Sequence, residues 1–379
     1  FEILGIALIK RRRLSRIFYK GKFFDYPLNF SSTITNLGVI DSSLILVSYL
    51  QSRFRNGKAI ISFEDYVVKH FGRKLFKTFF KEYTEKVWGI PCSELSADWA
   101  RQRIKGLSFI SALKNSLTSG QDDNIRTLIK SFYYPVLGPG MMYEEAARAI
   151  KVAEGEVSLQ KTVVKIMHDN NRMTGVTVRN KQGNLSVQAA DQIISSMPLP
   201  ELLLSLQPSA PQKILDAGKK LRFRNIVVVN LMCANADLFN DNWIYIHTPN
   251  IMLGRIQNYK NWSPLMVPDK RMTSLGLEYF CSDQDSLWNL SDGELVKLAR
   301  EELRKIGFAV SVIDCFVYRA SCAYPVYSIG YQEALRLIYE YLNQFSNLQI
   351  VGRAGRFSYD NMDSAIASGI AAAKNLTCL

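Results

Sequence analysis

Between Ser62 and Tyr83 the apolar positions fall into two sets at helical spacing. Phe63, Tyr66, Val67, His70 and Phe71 share one face, with Ser62 as cap, Glu64 and Asp65 in the first turn where the dipole favours them, and Gly72 as the stop. Leu75, Phe76, Phe79, Phe80 and Tyr83 share a face of a second helix, so the pattern predicts an amphipathic hairpin walling a cleft, with His70 as a packing residue at its edge. Leu37, Ile40, Leu44 and Val47 extend the same period over Thr33–Phe54. Further upstream, Ile17, Tyr19 and Phe23 around Lys20-Gly21 read as a β-hairpin closed by Pro27. Lys10–Arg13 reads as a charged, solvated turn.

From Phe132 the period changes. Gly138 and Gly140 flank Pro139 just before a helix running to about Val152, and Gly155–Leu159, Thr162–Met167, Gly175–Arg179 and Ser186–Ala189 read as short strands. Asp191–Pro198 reads as a buried strand entering a polar loop. Ile226–Leu231, Trp243–His247, Gly254–Gln257 and Ser274–Tyr279 are strands suited to one wall of a pocket. Ser291–Glu294 starts a helix ending near Gly307, Val312–Tyr318 is a strand, and Tyr324–Tyr327 is an aromatic loop before a helix over Gln332–Leu342. The chain closes on a strand at Leu348–Val351, a break at Gly352 and Gly355, and a helix from near Ser364 capped by Asn361 or Asp363. That helix is nearly all Ala, Ser and Gly. Its N-terminus suits an anion, and a tightly packed α/β crossing explains the small residues equally well.

At 379 residues the chain exceeds one small core, which predicts two interleaved domains. Strand and helix blocks that interrupt one another give segments 1–131 (substrate and helical region), 132–198 (part of a dinucleotide-binding domain), 199–347 (β-rich substrate domain) and 348–379 (C-terminal cofactor-binding segment). Hydrophobic content of 47% with 21% charged residues is that of a soluble globular enzyme. No apolar run spans a bilayer and no signal peptide is visible, so the expected compartment is the cytoplasm. Six scattered cysteines and three isolated histidines form no metal-ligand cluster and are expected as free thiols and packing groups, with no metal. The net charge of +13 is spread along the chain without an aromatic-basic motif. It argues against nucleic acid and suits phosphate-bearing small molecules or an anionic membrane surface. Oligomeric state leaves no mark in the sequence.

Three blocks, Tyr83-Thr-Glu-Lys-Val-Trp-Gly89, Leu137-Gly-Pro-Gly-Met-Met142 with Gly155-Glu-Val157, and Gly352-Arg-Ala-Gly-Arg-Phe-Ser-Tyr-Asp-Asn-Met-Asp363, together resemble flavoproteins related to protoporphyrinogen oxidase and UDP-galactopyranose mutase. More narrowly, the chain looks like bacterial FAD-dependent amine-oxidase-like proteins of cell-surface polysaccharide synthesis. The resemblance implies FAD as cofactor, with the Gly352, Arg353, Gly355, Asn361, Met362 and Asp363 segment approaching its pyrophosphate, ribityl chain and flavin edge. It further implies that Val163 or Val164 meets the adenine and that Ser196 and Met197 sit at a strand end near the cofactor. On the mutase side it assigns Tyr83 and Trp88 to a uridine, Arg103 or Lys105 to a diphosphate, and Tyr324 and Tyr327 to the substrate pocket. No side chain is implied as catalytic, because the flavin carries the chemistry.

The family's opening strand, G-x-G-x-x-G turn, helix and ribose-binding acid have no counterpart in the sequence. The expected fold class is therefore α/β: a Rossmann-like FAD-binding domain lacking its first βαβ unit, interleaved with a mixed-sheet substrate domain and a helical subdomain, in an N-terminally truncated family member. The expected function is that of an FAD-dependent oxidoreductase acting on a small molecule, with a nucleotide-sugar as the candidate substrate class. The alternatives are a mutase-like flavin isomerase and a non-catalytic relative that binds a nucleotide-sugar or a protein partner.

Overall fold

A computed structural model describes residues 7–26, 38–54, 59–103 and 130–377. The side chain of Arg103, and Lys105 altogether, lie outside the described residues. The chain divides into two compact units, one of residues 1–155 and 225–320 and one of 156–224 and 321–379.

The first unit is built on a seven-stranded sheet in the order Val312–Val326, Arg222–Cys233, Thr273–Cys281, Arg255–Asn258, Trp243–Ile246, Ser15–Tyr19, Lys22–Asp25. Alternation along each strand sends Val227, Val229 and Leu231, with Leu275, Leu277 and Tyr279, to one face. There Leu295, Ala299 and Leu303 of the helix Asp292–Lys305 cover them, and all are buried. At about 1.5–3 kcal/mol for each fully buried large apolar side chain, this face drives the unit's folding. The covering helix starts where the sequence places it, with Ser291 and Glu294 forming a reciprocal capping box. The expected hairpin at Ser15–Asp25 is present, with Lys20 and Gly21 both at positive φ in its two-residue turn.

The helical hairpin also forms. Ser62 and Asp65 cap Phe63–Phe71, and Gly72, at φ 85°, ends it. A side chain at Gly72 would also strike the Tyr49 backbone at 2.7 Å. The second helix runs Arg73–Leu75, a π segment Phe76–Phe80, then Lys81–Trp88. Two expectations change here. Lys10–Arg13 does not make a solvated turn, because Leu8–Arg12 is a strand paired antiparallel to Ser131–Pro135, and Arg11 donates to Trp262 O at 3.1 Å. Charged side chains can line a strand when their guanidinium groups find carbonyls, and the charge run hides that. Gly155–Leu159 is not a strand, since Gly155 N–H turns back to Ile150 O at 2.8 Å to close the preceding helix.

The loop 247–254 is held by charges from two helices. Glu302, 1% exposed, accepts from Met252 N at 2.6 Å and Leu253 N at 2.9 Å. Lys86 Nζ donates to Ile246 O at 2.7 Å and Leu253 O at 3.2 Å. Burial pushes the Lys86 ammonium down to about 8.

The second unit holds the four-stranded sheet Leu185–Ala189, Arg172–Arg179, Thr162–Asp169, Leu206–Gln207, and a parallel pair of Ile193–Ser195 with Leu348–Ile350. Asn347, 1% exposed, ties them together: its side chain accepts from Met173 N at 2.7 Å and donates to Met173 O at 2.8 Å and Asp191 O at 2.7 Å. Leu199–Ser205 and Gln212–Lys220 are helices in a stretch whose sequence reads as β-rich.

Glu302→Leu strips the acceptor from two loop N–H groups and leaves Lys86 without its nearby acid. The expected loss is about 3–5 kcal/mol of unfolding free energy by urea titration. A loss below about 1 kcal/mol contradicts the two-sided clamp.

Candidate cofactor turn and substrate cavity

In the second unit, the strand Leu348–Ile350 runs into a turn that presses on the Ser195–Ser196 loop. Val351 N donates to Ser195 O at 2.9 Å. Gly355 has no space for a side chain, since a Cβ would lie 3.1 Å from Ser195 O and 3.3 Å from Ser196 Cα. Gly352 adopts φ 73° and donates its N–H to Ser368 Oγ at 2.9 Å. Ser196 is exposed and Met197 half-buried. The closing helix, Met362–Thr377, is longer at its start than the sequence suggests, with Asn361 O accepting from Ala365 N at 3.0 Å. Asn361, Met362 and Asp363 are exposed at that N-terminus.

Arg353 holds the turn together. Its Nε donates to Asp360 O at 2.7 Å and Nη1 to Ala323 O at 3.2 Å, and its guanidinium lies 5.0 Å from the ring centres of both Tyr324 and Tyr359. Those rings stack at 5.6 Å. Tyr327 is buried, stacks on Tyr331 and accepts from Tyr359 N at 2.8 Å. Tyr359 thus joins the site as a residue that the motif contains but that sequence reasoning does not single out. Val163 and Val164 stand on a different sheet, half-buried on Thr162–Asp169, with a bulge between Val163 and Lys165.

In the first unit, Tyr83 stacks flat on His247 at 4.2 Å and meets Tyr245 edge-on at 5.7 Å. Trp88 is 3% exposed and packs edge-on against Trp99 at 4.6 Å. His247 is fully buried, and desolvation, with Lys86 nearby, pushes its imidazole down to about 3, so it is neutral at physiological pH.

The sheet's second face carries a cavity of about 550 Å³. Asn230, Gly276, Gln257 and Trp243 are register partners across four strands, and Val228, Glu278, Arg255 and Tyr245 form the next row. A Cβ at Gly276 would fall 2.1 Å from Tyr259 Oη, so the missing side chain makes room for the phenol to lie across the sheet and donate to Asn230 Oδ1 at 3.2 Å. Arg255 pairs with Glu278 in a bidentate bridge, Nε to Oε2 at 2.7 Å and Nη2 to Oε1 at 2.8 Å, and Gln257 Nε2 donates to Glu278 Oε1 at 2.8 Å. Asn230, Gln257, Tyr259 and Ser274 make the floor. Tyr134, Pro139, Trp262, Met266 and Phe316 make the walls, with Tyr134 and Trp262 in contact at 5.1 Å. Burial pushes the Tyr134 phenol up to about 12 and raises Tyr259 as well, so both are neutral donors. The alternation of Asn230, Ser274 and Gln257 with buried aliphatic residues is the signal that could have found this floor.

A family model for flavin-containing amine oxidoreductases matches residues 52–377, and the chain belongs to that family. It is a flavin-dependent oxidoreductase with FAD as cofactor. The structure is similar to that of reduced UDP-galactopyranose mutase, with TM-score 0.80 and 19% identity over 99% of this chain and 81% of that one. An Exiguobacterium sp. 255-15 protein provisionally called protoporphyrinogen oxidase gives TM-score 0.73 and 15% identity over 98% and 82% of the two chains. A putrescine oxidase variant gives 0.59 and 14% over 100% and 84%. At these identities the likenesses show the fold. Among the described residues no helix is long and apolar enough to cross a membrane.

The C-terminal turn fits an anionic, hydroxyl-rich cofactor. Two glycines keep it free of side chains, a 16-residue helix begins beside it, and Asp360 Oδ2 is buried without a hydrogen bond, with Arg356 no nearer than 4.0 Å.

Because the folded state refuses a proton at His247 that the unfolded chain accepts below about 6.5, stability should fall as pH drops from about 6.5 toward 3, by up to ~1.4 kcal/mol per unit. His247→Phe keeps the stack on Tyr83 and should flatten that slope in urea titrations at stepped pH. An unchanged slope assigns the acid sensitivity to other groups.

Proposed function

We propose that this FAD-dependent oxidoreductase acts on a sugar, carried as a nucleotide-sugar, in the building of cell-surface polysaccharide. The observation that carries the reading is the cavity on the polar face of the sheet. Its lining bears no formal charge, its walls are aromatic and its floor is made of amides and hydroxyls. A diamine would need carboxylates there, whereas an uncharged ring with hydroxyl groups matches aromatic faces and neutral hydrogen-bonding groups.

FAD, when bound, supplies the two-electron acceptor for a substrate C–H bond. The chain's own part is binding and orientation. Val351 and Gly352 place the turn, Arg353 locks it by two carbonyls, and Met362–Thr377 offers its free N–H groups to the pyrophosphate. Tyr134 and Trp262 exclude water around the substrate ring, and neutral Tyr259 holds Asn230 in one orientation.

A second reading, a flavin-dependent isomerase without net oxidation, is favoured by the TM-score of 0.80 to the mutase. Incubation of FAD-loaded protein with UDP-galactopyranose, with and without dithionite, separates the two. Flavin bleaching under anaerobic conditions with an oxidised sugar supports the oxidoreductase, and a ring isomer formed only with dithionite supports the isomerase. Turnover of putrescine with none of the nucleotide-sugar rejects both.

Arg353→Ala frees the turn from Asp360 O and Ala323 O and should weaken FAD binding by roughly tenfold, read from flavin absorbance during titration. Unchanged affinity counts against the turn as the cofactor's seat.

A further inference from the structure

The helix Val39–Phe54 of the first unit has two apolar faces, and only one of them is used in packing. Ile45 and Tyr49, with Ser52 beside them, are buried where the helix meets Phe63–Phe71 and Arg73–Leu75. At about 100° per residue, Ile40, Leu44, Val47, Leu50 and Phe54 fall on the opposite side, within an arc of about 120°. All five are exposed, Ile40 to 80% and Phe54 to 83% at the two ends. The other positions in that arc, Ser43 and Gln51, are uncharged. The row runs about 21 Å along the helix axis. Single apolar residues are ordinary on a surface, whereas a contiguous row of five large ones marks a contact.

Charge borders the row on both sides. Asp41 and Arg53 stand about 60° beyond its two edges. Asp41 is the helix's one acid, and it is matched: Lys74 Nζ lies 2.8 Å from its Oδ1, and Lys74, with Lys20 nearby, holds the carboxyl below the usual carboxylate range. Arg53 is exposed on the other flank. The result is an uncharged strip with cationic margins, on a chain whose net charge is +13. That charge selects the occupant. A second copy would bring the same positive charge to meet it, whereas an anionic bilayer gains roughly fivefold in affinity for each lysine or arginine at its surface. At 16 residues the helix is about 24 Å long, short of the ~30 Å hydrocarbon core, so it can only lie in the plane of the interface.

We propose that the outer face of Val39–Phe54 docks the protein on an anionic lipid surface, with the five apolar side chains entering the headgroup–acyl boundary and Lys20, Arg53 and Lys74 meeting lipid phosphates. The long stems of these cations keep their charged ends at headgroup level while the row sinks below them. The docking is independent of which ring the cavity accepts.

Co-sedimentation of the purified protein with vesicles tests it, using equal parts phosphatidylglycerol and phosphatidylcholine against phosphatidylcholine alone. The wild type should pellet with the anionic vesicles, bind the neutral ones about tenfold more weakly, and be released as salt is raised. Val47→Glu sets a carboxylate in the middle of the row and should weaken anionic-vesicle binding about tenfold. Phe54→Ser, at a position that is 83% exposed, should weaken it several-fold with the fold intact. Lys20→Gln and Arg53→Gln should each weaken it roughly fivefold, and thermal melting checks that every variant is folded. A wild type that ignores anionic vesicles overturns the proposal, as does unchanged binding by folded Val47→Glu and Phe54→Ser proteins. Equal binding to neutral and anionic vesicles overturns it too. A concentration-dependent dimer in sedimentation velocity that Val47→Glu dissociates, without vesicle binding, gives the face to a second copy instead.

Discussion

A carboxylate with 1% exposure has to be used, because burying it unpaired costs several kcal/mol. Glu302 sits on the helix that seals the oily face of the seven-stranded sheet and spends both oxygens on the N–H groups of Met252 and Leu253. Lys86, on the hairpin that carries Tyr83, takes the carbonyls of the same loop. Two helices therefore register against the sheet through one backbone segment, and the strands on either side of it, Trp243–Ile246 and Arg255–Asn258, inherit that register. The rows of Gln257 with Gly276 and Arg255 with Glu278 follow from it, since a slip of one residue would turn Gln257 into the core.

Much of this architecture is legible from spacing. The capping boxes at Ser62 and Ser291, the stop at Gly72, the turn at Lys20-Gly21 and the aliphatic strands from Ile226 to Tyr279 are all local signals, and each is where the residues predict. What escapes is what depends on partners distant in sequence. Leu8–Arg12 is a strand because Ser131–Pro135 pairs with it and Trp262 O takes Arg11, more than a hundred residues away in each case. The helices after Pro198 and Pro211 are short, seven and nine residues, in a stretch for which spacing assigns no element, and Leu199, Leu202 and Leu203 of the first are buried together.

The site divides in the same way. The Gly352–Asp363 motif names its turn, because glycine, arginine and a following small-residue helix have meaning in local geometry. It does not reveal that Arg353 is occupied by carbonyls and two tyrosines, so that its charge serves the turn's shape. The cavity floor has no motif at all. Asn230, Gln257 and Ser274 come from three strands, and only the sheet's register assembles them.

Gly276 sets the depth of the cavity through the ring it admits. The volume that its missing side chain opens is taken by the Tyr259 phenol, a group delivered by a neighbouring helical turn and anchored at its tip by Asn230. The floor is thus a plug resting on a notch in the sheet. Relatives or designed variants could accommodate bulkier ligands by shortening the plug alone, with the seven strands and their ion pair left as they stand.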